Sequence, residues 1–268
     1  MTRSTGADHH PRVEFAPAPI DDLRTYGGYL RSLSSPIDSF AEEAILGSAF
    51  HRISVDGAEA GFFAINDGTL LTQFHLVGSA RRQAQPILDK IFADHAPTAA
   101  YVASCDEFML SHLLDREHVL KRQAYFFAEG VPGRPAARDT TVGYRPAVAA
   151  DIATIRAVSG DFLDRLDERV ADGQIHVGHD GAEMVAVGIA QPGQLLPDHT
   201  SIGMFTHESH RERGVGTATL LHLRAVCHDQ GRVPVAGCWY YNHNSKRTLE
   251  AAGMVTATRL FRLEFPAG

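Results

Sequence analysis

Apolar positions along the chain fall into two successive series of short runs, separated by a stretch with no apolar period. In the first series, residues 50–55, 60–65 and 70–77 are dense in Phe, Ile, Val and Leu and read as strands. The links between them carry Asp56-Gly57 and Asp67-Gly68, which are hairpin turn pairs. A helical period over 80–94 follows, then a strand at 99–104, a helix at 107–116 and a strand at 122–127. The second series repeats this order. It has a short strand at 142–146, helices at 151–158 and 162–171, and a hairpin of 174–178 with 184–190 across Asp180-Gly181. A strand at 201–206, a helix at 218–228, a strand at 234–241, a helix at 245–252 and a closing strand at 258–265 complete it.

Two fragments support duplication: Asp56-Gly-Ala-Glu59 recurs as Asp180-Gly-Ala-Glu183, and Ser79-Ala-Arg81 aligns with Ser209-His-Arg211. The shared order of elements carries more weight than either match. The 268-residue length also favours two cores over one. The segment 128–138, AEGVPGRPAAR, reads as a linker. The expected organisation is a first domain over 1–130, a linker over 131–139 and a second domain over 140–268. The fold class is α/β in the α+β sense. Each domain has a central mixed, mostly antiparallel sheet flanked by helices.

Composition narrows the function little. Net charge is −7, which argues against a general nucleic-acid binder. The three cysteines, Cys105, Cys227 and Cys238, have neither metal-type nor disulfide-framework spacing and suit a reducing cytoplasm. No run approaches the length of a membrane span, and the polar N-terminus lacks an apolar signal core. A cytoplasmic protein with a frayed first dozen residues is expected. Monomer and homodimer are both open.

The chemistry concentrates in residues 209–217, Ser-His-Arg-Glu-Arg-Gly-Val-Gly-Thr, between a strand and a helix. Gly214 and Gly216 remove side chains where a helix begins, so backbone N–H groups and the helix dipole converge on one point. Arg211 and Arg213 add positive charge. Such a turn suits phosphate. Arg211-x-x-Gly214-x-Gly216 resembles the pyrophosphate loop of the GCN5-related N-acetyltransferases (GNAT). The segment NHNSKRTLEAAGM resembles that family's next signature, through Asn242, Ser245, Gly253 and Met254. The wording of this half is similar to a bacterial subfamily of tandem members.

The resemblance implies an acyl-coenzyme A co-substrate, acetyl-CoA or another acyl-CoA. It implies that backbone groups of Met204, Phe205 and Thr206 hold the pantetheine arm. It places the pyrophosphate on Arg211, Glu212, Arg213, Gly214, Val215, Gly216 and Thr217. Asn242 and Ser245 would touch the lower part of the cofactor. The first half reads as a degenerate copy, because Arg81-Arg-Gln-Ala84-Gln-Pro86 stands where the glycine loop stands, and Pro86 has no N–H to offer.

Amide formation from a thioester needs a base for the amine, a donor for the oxyanion and, for the thiolate, an acid. The backbone N–H of Phe205 or Thr206 is the expected oxyanion donor. Many members of the family use a tyrosine early in the last helix as the acid; the matching residue here is Leu249, which has no proton to give. Tyr241 is preferred as a substitute over Tyr240, and His207 and Glu208 are the candidate bases, all weighed against plain packing or solvated-loop roles. His207-Glu-Ser-His210 lacks the helical spacing of a metal motif, so no metal is expected. Cys238 reads as a buried structural thiol. Phe162, Asp164, Asp167 and Glu168 fall in the region where the resemblance puts the acceptor. The expected activity is N-acyl transfer (EC 2.3.1 class) to an amine of a small molecule or peptide. An acyl carrier protein or aminoacyl-tRNA as donor is an alternative, and a non-catalytic acyl-CoA sensor is another.

Overall fold

A computed structural model describes residues 11–133 and 141–266. Most of the expected linker and the first ten residues lie outside the described residues. The chain opens with β1 (Val13–Pro17), α1 (Tyr26–Ser32) and α2 (Ser39–Leu46). There follow β2 (Ala49–Val55), β3 (Ala58–Asn66), β4 (Leu70–Leu76), α3 (Ala84–His95), β5 (Ala99–Ala103), α4 (Glu107–Leu113) and β6 (Val119–Glu129). The second series is β7 (Val142–Pro146), α5 (Ile152–Ser159), α6 (Leu166–Ala171), β8 (Ile175–Asp180), β9 (Glu183–Pro192) and β10 (His199–Thr206). It ends with α7 (Val215–Asp229), β11 (Val233–Trp239), α8 (His243–Ala251) and β12 (Met254–Glu264).

The chain divides into two compact units. Unit 1 takes the chain up to Ser34, Ala44–Lys121, and everything from Phe261. Unit 2 takes Ser35–Glu43 and Arg122–Leu260. The units therefore do not follow the halves of the sequence. The first series gives Ser35–Glu43 and most of β6 to unit 2, and the end of β12 goes to unit 1.

In unit 1 the strands run β1-β2-β3-β4-β5, then the end of β12. All pairs from β1 to β4 are antiparallel, and β4 and β5 are parallel. Both Asp-Gly turns adopt positive φ at each residue, as a two-residue hairpin of this hand requires: Asp56 51°, Gly57 82°, Asp67 46°, Gly68 71°. The core packs α3, through Ile87, Leu88 and Ile91, on Phe63, Phe74 and Leu76 of the sheet. In unit 2 the order is β12-β6-β11-β10-β9-β8-β7. Here β10 and β11 are parallel, and β7 to β10 and β11 with β6 are antiparallel. α7 covers one face with Leu220, Leu223 and Cys227 against Ile202, Ala236 and Cys238. α5 and α6 cover the other, with Ile155, Leu166 and Val170 against Ile175, Val177 and Val187.

Each unit is thus a mixed, mostly antiparallel sheet flanked by helices, as expected. Three elements of the first series, β1, α1 and α2, escape the apolar pattern. α1 has two glycines in its first turn, which weakens any helical signal, and α2 is short and follows Ser34-Ser35-Pro36. β11 ends at Trp239, so Tyr240 and Tyr241 form a turn rather than the strand's last residues. The expected helix over 162–171 keeps only Leu166–Ala171, because Leu163 is extended and Arg165 is left-handed at φ 43°.

Candidate active site

β10 and β11 part company early. Their parallel ladder joins His199, Thr200 and Ser201 to Val233, Pro234 and Val235, and among the described residues it goes no further. Beyond it β10 stays on β9 up to Thr206, while β11 stays on β6 up to Trp239. The facing edges from Ile202 and Ala236 onward therefore have no strand between them. Backbone N–H and C=O groups on such an edge are available to a ligand.

The chain then turns through residues 207–214 into α7. His207 N–H donates to the Val185 carbonyl (2.9 Å), which ties the loop to β9. Arg211 Nε donates to the carbonyl of Thr206 (3.3 Å), and the guanidinium lies 5.8 Å from the centre of the Phe205 ring. Glu212 takes φ 62° and Gly214 φ 82°, so the backbone curls twice into the left-handed region before the helix starts. Gly214 brings no capping side chain to α7, and no acidic residue occupies the helix's first turn. The N–H groups of Val215, Gly216 and Thr217 stand at the positive end of a 15-residue helix. Gly216 is closely packed. A methyl there would sit 3.1 Å from Thr248 Cγ2, 3.2 Å from Thr206 Oγ1 and 3.3 Å from Met204 Sδ. Loop, β10 and α8 meet at this point. The hydroxyl of Thr206 is buried and has no hydrogen-bond partner among the described residues.

The Asn242 carboxamide accepts from Ser245 N–H (3.0 Å) and so caps α8. Leu249 is 3% exposed in the core under α7. Tyr240 is also committed: its ring stacks on Tyr125 at 5.0 Å and its hydroxyl accepts from Arg122 (2.9 Å). Tyr241 is the exposed one of the pair, with its ring 5.0 Å from Trp239. Glu208 is exposed. His207 Nδ1 lies 2.7 Å from Ser209 Oγ, which also bonds His210 Nδ1 at 2.8 Å. Ligand atoms of His207, His210 and Glu183 come within 4.8 Å of one another, a grouping that chain spacing alone does not foretell because Glu183 arrives from β9. Cys238 is buried, and desolvation raises its thiol above the usual range, as a structural thiol requires.

Two of the acceptor-region carboxylates are already neutralised. Asp164 holds Arg169 at 2.8 Å, and Asp167 holds Arg156. Phe162 is 43% exposed and lies 5.8 Å from Phe205, at the opening. A charged residue that sequence reasoning passes over does reach the opening. Asp38, from the segment before α2, is packed against the Cα of Gly237 on β11. Its only sequence signal is that of a helix cap, Asp before Ser-Phe-Ala, which it also is: Oδ1 accepts from Ala41 N–H at 3.0 Å.

Comparison with known proteins agrees with this architecture. Residues 20–130 match the family model of the acetyltransferase (GNAT) domain. The match falls on the half whose loop lacks the glycines. Comparison with curated protein sequences finds no significant match. Among solved structures, a GNAT-family acetyltransferase from Colwellia psychrerythraea superposes with a TM-score of 0.83 at 17% identity, over 95% of this chain and 100% of the other. A GCN5-related N-acetyltransferase from Sphaerobacter thermophilus gives 0.65 at 13% identity, over 96% of each chain. A tandem GNAT protein from the clavulanic acid biosynthesis pathway gives 0.60 at 14% identity, over 96% of this chain and 100% of that one. At these identities the superpositions speak for the fold. No helix among the described residues is long and apolar enough to cross a membrane. The first half of the chain thus matches a GNAT acetyltransferase domain, and along its length the chain shares the fold of GNAT-family acetyltransferases, a tandem member among them.

Proposed function

We propose that the protein is an N-acyltransferase that moves an acyl group, acetyl in the simplest case, from a coenzyme A thioester to an amine. Unit 2 is the working site in this reading, and the first half keeps the fold without the donor loop. The observation that carries the proposal is the left-handed turn at Gly214 opening α7 directly beyond a strand whose far edge is unpaired. The residues fit the donor. Backbone N–H groups of Val215, Gly216 and Thr217 meet the pyrophosphate, with Arg211 and Arg213 beside them. The missing Cβ at Gly216 lets the loop pack closely on β10 and α8, and the orphaned hydroxyl of Thr206 would gain a partner in the pantetheine arm. Bound between the strands, that arm would direct the thioester to the Phe205–Thr206 backbone, where the N–H of one of the two residues would stabilise an oxyanion.

Direct attack needs no covalent enzyme intermediate, which agrees with a buried, raised-pKa Cys238. With Leu249 in the core, the thiolate leaves without help from that position. The acceptor is an amine of a small molecule or peptide.

Gly214→Pro tests the donor site, since proline cannot adopt φ 82°. Titration calorimetry with acetyl-CoA should show affinity reduced at least 100-fold, with the fold intact by circular dichroism. Unchanged affinity would refute the loop assignment. Thiol release with any of a panel of amines separates an enzyme from a mere acyl-CoA sensor.

A further inference from the structure

The proposed reaction needs something to take a proton from the acceptor nitrogen, because an alkylamine is protonated near neutral pH and an ammonium ion has no lone pair. Neither His207 nor Glu208 lies between the strands; both sit beyond the end of β10, where His207 is engaged with Ser209. The opening itself contains a carboxylate, and it comes from the other half of the sequence.

Asp38 belongs to Ser35–Glu43, the piece of the first series that is part of unit 2. Two bonds fix it there. Ser39 N–H donates to Ser201 Oγ (3.2 Å), on the last rung of the β10–β11 ladder, and Asp38 Oδ1 accepts from Ala41 N–H (3.0 Å). The second oxygen, Oδ2, occupies the space where Gly237 would carry a side chain; a methyl built there runs straight into it. Gly237 lies two residues past the last rung, level with Gly203 on β10. Strand alternation settles the side. Ala236 and Cys238 pack under α7, so Gly237 and the carboxylate face the opposite surface. Phe205, two residues beyond Gly203, packs with the same α5–α6 surface. At ~3.3 Å per residue, Oδ2 is about 7 Å or less along the strand from the Phe205 backbone. Donor loop and carboxylate thus approach the opening from opposite faces, which is the arrangement an in-line meeting of donor and acceptor requires.

The surroundings suit proton uptake. Asp38 is 6% exposed, so its side chain is largely dry. Burial pushes its pKa up to about 6, and the charges that face it from α2, Glu43 and Glu42, push the same way. The Cys238 thiol, on the other face of β11, also feels its charge.

We propose that Asp38 takes the proton from the acceptor amine at the β10–β11 opening, and that the acceptor class is accordingly an alkyl primary amine that arrives as an ammonium ion. This rests on the acyl-CoA reading above. The ammonium gives one proton to Oδ2. The freed lone pair attacks the thioester carbonyl, forming the C–N bond. The C–S bond then breaks, and a second nitrogen proton leaves with the thiolate as free thiol. Asp38 returns its proton to solvent, so each cycle yields amide, thiol and one proton.

The test uses the full chain with acetyl-CoA and two acceptors, an aliphatic primary amine and an aniline, which is already neutral at pH 7. Asp38→Asn keeps an oxygen for the Ala41 cap and cannot take the proton. It should lower kcat/KM for the aliphatic amine by about 10²-fold or more, lower that for the aniline far less, and leave acetyl-CoA affinity by calorimetry within twofold. The wild-type kcat/KM for the aliphatic amine should fall with unit slope below pH about 6, and that limb should vanish in the variant. Gly237→Ala, which displaces the carboxylate while keeping it, should reproduce the loss. Turnover of the aliphatic amine within threefold of wild type in Asp38→Asn, or equal losses for both amines, would overturn the role of Asp38 and leave the donor reading standing. Wild-type protein that binds acetyl-CoA yet releases no thiol with either amine would overturn the acyl-transfer reading and this assignment with it.

Discussion

The two strand-to-helix junctions of the molecule, β4 into α3 and β10 into α7, share a frame and differ in what they leave open. In both, a strand leaves its parallel neighbour after a few rungs, Leu71–Ala100 in one and Ser201–Val235 in the other. In both, an arginine five residues past the strand end folds back onto its last carbonyl: Arg81 Nε to Leu76 at 2.9 Å, and Arg211 Nε to Thr206 at 3.3 Å. Counted from the strand ends, Gly203 corresponds to Gln73; counted from the helix caps Asp106 and Asn242, Gly237 corresponds to Tyr101. Gln73 is fully buried and Tyr101 is part-buried, so unit 1 fills with side chains the level that unit 2 keeps clear. The turns differ likewise. Gly214 is left-handed at φ 82°, whereas Ala84 is right-handed at φ −56° and 1% exposed in the core, with Pro86 in the first turn of its helix. Fold and site have come apart: the frame needs the arginine and the splay, while a ligand needs the glycines.

The largest expected effect comes from making unit 2 resemble unit 1 at this level. Gly203→Gln with Gly237→Tyr should abolish detectable thiol release and weaken acetyl-CoA binding by at least tenfold, because the side chains would occupy the opening and strike Ile189 and Asp38. Melting should remain cooperative, since unit 1 tolerates the same residues at the same level. Calorimetry and a thiol assay on one preparation check both. Wild-type binding in the double variant would show that the donor does not enter between the strands.

Much of the fold and of the donor loop is legible in the sequence, and the reason is locality. Hairpins, the loop at 209–217 and the cap at Asn242 are short-range patterns, so turn chemistry and spacing reveal them. Gly203 and Gly237 carry a weaker signal, since an isolated glycine in a strand hints at close approach without naming the neighbour. Asp38 carries none beyond its helix cap. Its role comes from the exchange of a nine-residue segment, Ser35–Glu43, into unit 2, about two hundred positions before the glycine it covers. For the same reason the sequence does not name what holds Tyr240; its partners Arg122 and Tyr125 come from β6, the strand that changes units. Long-range exchange leaves no periodic trace.

A second, smaller effect compares the two buried aspartates, one in each unit. Asp106 caps α4 through Met109 N–H (3.0 Å), as Asp38 caps α2, and burial raises both to about 6. A carboxyl raised above its unfolded value of 3.8 favours the proton in the fold. Its contribution to stability is therefore complete below pH about 4 and lost as pH rises through about 6. The full difference corresponds to about 3 kcal/mol per group. Asp38→Asn and Asp106→Asn should each flatten the wild-type loss of stability between pH 4 and 8, read as urea midpoints across that range. Only Asp38→Asn should also cost turnover. Equal catalytic losses in the two variants would mean that buried charge, rather than position at the opening, is what matters.

The smallest effect separates the two arginines that share a frame. Arg81 is an exposed residue, but its bond to the Leu76 carbonyl is part-buried and its guanidinium stacks 5.2 Å from the Phe108 ring centre. A charged hydrogen bond with a cation–π contact at a half-buried site is worth about 1–2 kcal/mol. Arg211 makes the longer bond at an exposed position, where little net stability is expected. Arg81→Ala should therefore lower the urea midpoint and leave acetyl-CoA affinity unchanged. Arg211→Ala should leave the midpoint nearly unchanged and weaken acetyl-CoA by about tenfold, the value of one charge-assisted contact to a phosphate. If Arg81→Ala weakened the donor as well, the first unit's loop would have kept a share in binding, and the division between a structural and a working copy would have to be redrawn.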